Sequence, residues 1–260
     1  MTEEKPQYGW FVKNLIVGLT IMGLIGLALI FLAFFFELWY KNLLLIIGII
    51  MIVLFLWPGL GMSVMNIILN IDKSPEIDID PLNINKSPII LDVGCGTGRT
   101  AIKIAKHLKN GGHLHGIDIY SKGAIGGNSL ETVQRNASIE GVDHETTFQH
   151  GSATEIPFDD EFFDIVNFSS VLHELHMQNG RVDALKEAYR VLKPGGYLHV
   201  GEWNRNAWQL ILYCGIFCFV FKKYNYWLDL LKKHDFVIQK QKILSGFYVF
   251  SALKPMNKKK

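Results

Sequence analysis

One stretch, residues 89–99, constrains the fold of this chain more than any other: it reads IILDVGCGTGR. Apolar residues run into Asp92, glycines alternate at Gly94, Gly96 and Gly98, and a helix-forming sequence follows. That order dictates a strand, a turn and a helix start. Glycine tolerates positive φ and lets backbone approach a ligand closely. The spacing is G-x-G-x-G, not the G-x-G-x-x-G of nicotinamide-binding turns. A tight turn with no ligand would read the same way, so the rest of the chain must decide.

From residue 89 onward strand and helix patterns alternate, as in a parallel sheet with crossover helices. Strands are expected at residues 89–93, 113–119, 146–150, 163–169, 197–202, 236–244 and 247–253. Helices are expected at residues 99–108, 128–140, 181–192 and 227–234. Asn128 reads as a helix cap with Glu131 three positions later, and Gly141 as the stop.

The N-terminal part is of another kind. Of 260 residues 49% are hydrophobic, and the excess lies early in the chain. No charge occurs in residues 15–36 or in residues 42–71. A bilayer crossing needs about 20 apolar residues. Glu37 and Lys41 sit at the break, with the interface-seeking Trp39 and Tyr40 between them. The expectation is a membrane anchor of two transmembrane helices over residues 1–71. A linker with Pro75, Pro81 and Pro88 follows over residues 72–88, and then a domain over residues 89–260. A cleaved leader fits less well, because the first run is long and a second follows at once. Lys5 and Lys13 before the first run, against Lys41 alone between the two, favour an inside N-terminus.

A third charge-free stretch, residues 206–221, is short for a span. A crossing there would also part the last strands from their sheet. It is expected to lie on the membrane face or to lid a site, with a buried crossover helix as the alternative. From Lys222 on, ten lysines face only Asp229 and Asp235. Beside an anchor such a patch suits lipid headgroups, with plain solubility as the alternative. The three cysteines, Cys95, Cys214 and Cys218, read as buried free thiols.

With Asp92 before the glycines and Asp118 twenty positions after Gly98, residues 85–255 resemble the class I S-adenosylmethionine (SAM) methyltransferases of the small-molecule type. The resemblance implies an α/β fold: a seven-stranded Rossmann-like sheet with helices on both faces and a closing strand hairpin. It implies SAM as cofactor. The backbone of Gly94, Cys95, Gly96 and Gly98 would lie against the methionine part, and Asp92 would orient the turn or bind the amino group. Asp118 would hold the ribose, with Ile119 beside it. Many members carry G-D-A at the adenine; here Ser152 takes the acidic position and Ala153 follows. Asn167 begins the segment that closes over the sulfonium, and Tyr120 lies near adenine or in the core. The base-binding [DN]-P-P-[YF] motif is absent, so no nucleic-acid partner is expected.

His173, Glu174 and His176 offer a general base, His173 first, since imidazole titrates near neutral pH. The alternative is a helix start whose polar groups cap and pack. His173 and His176 lack a third ligand, so no metal is expected. The resemblance and the anchor together imply a membrane-bound methyltransferase with a small, hydrophobic or lipid-like acceptor. Its domain and both termini would face the cytosol, where SAM is made. The rival is a non-catalytic SAM-binding membrane protein.

Overall fold

The computed structural model describes residues 4–35, 39–68, 87–108, 111–121, 123, 125–175, 178–244 and 246–256. The expected linker up to residue 86, Glu37, His176 and the terminal lysines from residue 258 lie outside the described residues.

The first apolar run is one helix, α1 (Lys13–Phe35). The second is α2 (Lys41–Met51), a wider turn at Ile52–Leu56, and α3 (Trp57–Ile68). Pro58 has no N–H to offer the carbonyl four residues back, and the wider turn just before it absorbs that loss. The helix therefore continues through Pro58. Both runs are long and apolar enough to cross a membrane by length and composition. They pack closely through small residues: a Cβ on Gly26 would stand 2.9 Å from the Gly48 carbonyl oxygen. Their other faces leave Ile21, Leu24, Ile46 and Ile49 about half exposed.

The remainder is a doubly wound domain. Its elements are β1 (Ile89–Val93), α4 (Arg99–Ala105), β2 (His113–Asp118), α5 (Leu130–Ile139), β3 (Thr146–His150), β4 (Phe163–Ser169), α6 (Gln178–Val191), β5 (Leu192–Trp203), α7 (Trp208–Cys214), α8 (Tyr224–Lys233), β6 (Val237–Leu244) and β7 (Phe247–Leu253). The sheet order is β3-β2-β1-β4-β5-β7-β6. All neighbours are parallel except β7, which is antiparallel to β5 and β6. The chain leaves β1 for β2 and β3 on one side, then returns to β4 on the other. A switch point thus opens beyond the C-terminal ends of β1 and β4, where such sheets bind ligands.

Several expected boundaries move, each for a local reason. The cap of α5 is Ser129, whose hydroxyl accepts the Thr132 N–H at 3.1 Å. Asn128 is not the cap, because its amide donates to Asp118 and to the Ser121 carbonyl. Strand β5 starts at Leu192 and carries Lys193-Pro-Gly-Gly196 through an irregularity opposite Phe163 and Ile165, with Gly195 at φ 79°. Residues 206–221 are not one helix. Gly215, at φ 52°, separates α7 from a 3-10 turn at Gly215–Val220.

Two core clusters fill the two faces of the sheet, one around Phe163, Phe168, Trp227 and Phe250, the other around Ile90, Ile102, Leu114 and Val133. A third joins the apolar helices to the domain. In it Ile16 and Leu19 of α1 and Met62 and Met65 of α3 meet Leu210, Cys214, Cys218, Trp203 and Phe247. Trp57 Nε1 donates to the Leu212 carbonyl at 2.7 Å across this contact.

Candidate active site

The glycine turn is built from β1 outward. The N–H groups of Gly94 and Cys95 both donate to the Ile117 carbonyl, at 2.7 and 3.1 Å. Gly94 has φ 72°, and a Cβ there would meet Val171 at 2.4 Å. Only glycine fits. Asp118 accepts the Gly96 N–H at 2.9 Å through one oxygen, and the Tyr120 N–H and the Asn128 amide through the other. The carboxylate at the end of β2 thus orders the turn and the loop beyond it.

In the middle of the sheet the register aligns Asp92 of β1 with Asn167 of β4, His199 of β5 and Ser251 of β7. All four are buried on one face. Asn167 donates to Asp92 Oδ1 at 2.6 Å, while Asp92 Oδ2 is buried with no hydrogen-bond partner. Burial pushes the Asp92 carboxyl up to about 7; the Asn167 bond opposes this and the Asp118 charge adds to it. A buried, unsatisfied carboxylate oxygen at a cavity fits a cationic, N–H-bearing ligand group.

That cavity is lined at one end by Asp92, Gly94, Cys95 and Asn167, and at the other by Trp203, Phe247 and Val249. Ser169, Ser170, His199 and Gly201 lie between, and Arg99, Ile125 and Phe11 close it. Ser170 sits at φ 59°, a strained conformation of the kind that collects at functional sites. Burial raises the Cys95 thiol far above its ordinary range, with Asp92 and Asp118 adding to the effect. The thiol is therefore protonated.

Of the expected site residues, Asp92, Gly94, Cys95 and Asn167 line the cavity, while Gly96, Gly98, Asp118, Ile119, Ser152 and Ala153 do not. Gly96 is nevertheless bonded to Asp118, and the Gly151 N–H donates to the Asp118 carbonyl. Ile119 is exposed beside it. The Ser152 hydroxyl engages the Thr154 hydroxyl at 2.9 Å, and Ala153 is part of the core.

His173 also lies outside the cavity lining. Its Nδ1 meets Glu202 at 2.9 Å and its Nε2 meets Glu174 at 3.2 Å. Burial alone would depress this imidazole, but the two carboxylates outweigh it and push it up to about 9. Glu202, fully buried, also accepts the Leu172 N–H, and Arg181 donates to the carbonyls of Leu172 and His173. Together these groups pin the segment after β4.

Sequence reasoning missed His199 and Phe11 as cavity residues. His199 was within reach, because alternation along β5 places it on one face with Gly201 and Trp203. Nothing in the sequence pairs Phe11 with residues in the second half of the chain.

Residues 91–200 match the family described as a methyltransferase domain. A demethylmenaquinone methyltransferase of Listeria monocytogenes is 34% identical over 119 residues, 45% of each chain. A 27-O-demethylrifamycin SV methyltransferase of Amycolatopsis mediterranei is 34% identical over 114 residues, 44% of this chain and 38% of that one. The chain thus spans less than half the length of these curated relatives. Among solved structures, a SAM-dependent methyltransferase from Aquifex aeolicus superposes with TM-score 0.59 at 16% identity, over 76% of this chain and 98% of that one. One from Methanosarcina mazei gives 0.56 at 24% identity, over 70% and 99%. These likenesses fix the fold. Residues 91–200 are thus similar to a methyltransferase domain.

Proposed function

We propose that this chain is a membrane-anchored methyltransferase that moves a methyl group from SAM to a small, hydrophobic or lipid-like acceptor. The carrying observation is the far end of the cavity. Trp203 and Phe247 line it and also belong to the apolar cluster where α1, α3 and α7 meet. An acceptor held there would lie against the anchor, a short step from the bilayer. The named reactions of the relatives agree: one methylates demethylmenaquinone, the other a rifamycin.

The cofactor supplies an electrophilic methyl group on a sulfonium. In this reading Asp92 Oδ2 takes its amino group, and Asn167 keeps that carboxylate aimed. The backbone of Gly94, Cys95, Gly96 and Gly98 flanks its methionine part. Asp118 and Ile119 hold the ribose side, and Ser152 and Ala153 the adenine side. His199 faces the cavity and is placed to accept a proton from an acceptor. His173 acts from behind, as a positioning residue for the segment after β4. A cavity that held acceptor and cofactor in line would by itself supply much of the rate.

Two crossings put the start of α1 and the end of α3 on one side of the bilayer, together with the domain. That side is the cytosol, where SAM is made. Membranes incubated with the protein and methyl-labelled SAM test the whole reading. Label is expected in the organic-extractable fraction. Label only in protein or RNA overturns the lipid-like acceptor, and cofactor binding without any transfer leaves the non-catalytic SAM-binding protein.

A further inference from the structure

We propose that the anchor is part of the binding site: Phe11, which leads into α1, forms a wall of the cavity, and Asn66 of α3 is the positioning residue that holds it there. This rests on the reading of the cavity as a SAM-dependent methyltransferase site.

Residues 7–11 run as a strap across the glycine turn. Asn136 of α5 brackets Gln7, accepting its N–H at 2.8 Å and donating to its carbonyl at 2.9 Å. Thr97, inside the turn, donates its hydroxyl to the Tyr8 carbonyl at 2.9 Å. Arg99 donates to the Gly9 carbonyl at 3.2 Å, its guanidinium over the Tyr8 and Phe11 rings. The Gly126 N–H donates to the Trp10 carbonyl, and Phe11 bridges Ile125 antiparallel. A Cβ on Gly9 would stand 1.9 Å from the Gly126 carbonyl oxygen, so the two backbones touch with no room for a side chain.

At its far end the strap is gripped by the anchor. Asn66 Oδ1 accepts the Phe11 N–H at 2.8 Å, and its Nδ2 donates to the Phe11 carbonyl at 3.3 Å and to Met62 at 2.9 Å. Val12, at φ 47°, then turns the chain straight into α1. A side-chain amide that holds both the N–H and the carbonyl of one residue fixes that residue's position and its facing. Because α1 and α3 pack together, this grip couples the wall of the cavity to the anchor as well as to the domain. The hairpin therefore does more than tether the domain.

The test uses the full chain in lipid nanodiscs, with S-adenosylhomocysteine as the calorimetric probe. Asn66→Leu removes both bonds to Phe11, and Phe11→Ala removes the wall. Each is expected to weaken binding ~5-fold or more, the scale of one or two lost hydrogen bonds. Ser63→Ala, which loses only a bond to Gly59 within its own helix, should stay within ~2-fold of wild type. Alkylation rates of the three cysteines give the second readout. Cys95 shares a buried cluster with Tyr8 of the strap, while Cys214 and Cys218 belong to the cluster of α1, α3 and α7. In Asn66→Leu, faster alkylation confined to Cys95 supports the proposal. Equal acceleration at all three means general loosening and overturns it, as does wild-type affinity in both variants. A wild-type chain that fails to bind the probe refutes the cofactor reading itself.

Discussion

Asp92 is the residue whose ionisation is most exposed to test. Its carboxyl is pushed up to about 7, because burial penalises the charge. A cationic amino group beside Oδ2 would favour the charged form, so binding must release a proton wherever Asp92 is still protonated. Affinity for S-adenosylhomocysteine is therefore expected to rise between pH 5.5 and 7.5, by on the order of tenfold. Calorimetry in buffers of different ionisation enthalpy should register the released proton. Asp92→Asn should bind weakly at every pH; a flat profile in the wild type refutes the assignment. His173 carries the opposite sign of charge. Its pKa is raised on folding, so the stability from its pairs with Glu202 and Glu174 is complete below about pH 6.5 and is lost as pH rises through about 9. The amount is roughly 3 kcal/mol at most. Thermal unfolding should show the wild type well above His173→Gln at pH 6 and close to it at pH 9.5. A gap that does not change with pH would mean that the imidazole is not charged in the fold.

Among the elements, α7 and the turn after it face two environments. Leu210, Cys214 and Cys218 pack into the cluster with α1 and α3. Trp208, Ile216 and Phe219 are at least 57% exposed and continue the apolar surface of the hairpin. Left in water, so large a patch would be costly. A spin label at Ile216→Cys in nanodiscs is expected to be reached by oxygen and shielded from aqueous nickel, while one at Lys232→Cys shows the reverse. Water-like accessibility at residue 216 would place this segment off the membrane. Arg205 sits 4.9 Å from the Phe219 ring centroid, at the polar border such a segment needs.

In the whole molecule, the strap before α1 and the domain after α3 touch directly, through Thr97, Arg99, Asn136 and Gly126. Both ends of the hairpin therefore lie on the domain's side. Tags placed ahead of Glu4 and after Met256 should be cleaved together, or protected together, when protease is added to sealed vesicles of one orientation. Cleavage of only one tag would rule out the two-crossing arrangement.

Local patterns carried far in this chain. The glycine turn, Asp92, Asp118 and all seven strands were legible because each rests on residues close in sequence: period-two apolar runs, and glycines where the backbone turns. The two long apolar helices were legible for the same reason, since length and absence of charge suffice. The strap was not, because Asn66, Thr97 and Asn136 are ordinary polar residues until folding brings them round residues 7–11. From the sequence His173 is the first candidate base, because imidazole titrates near neutral pH. Folding turned it inward to Glu202 and left His199 facing the cavity. Alternation along β5 puts His199, Gly201 and Trp203 on one face, but which face meets the cavity is set by which strand lies alongside and which helix covers it, a matter of tertiary packing.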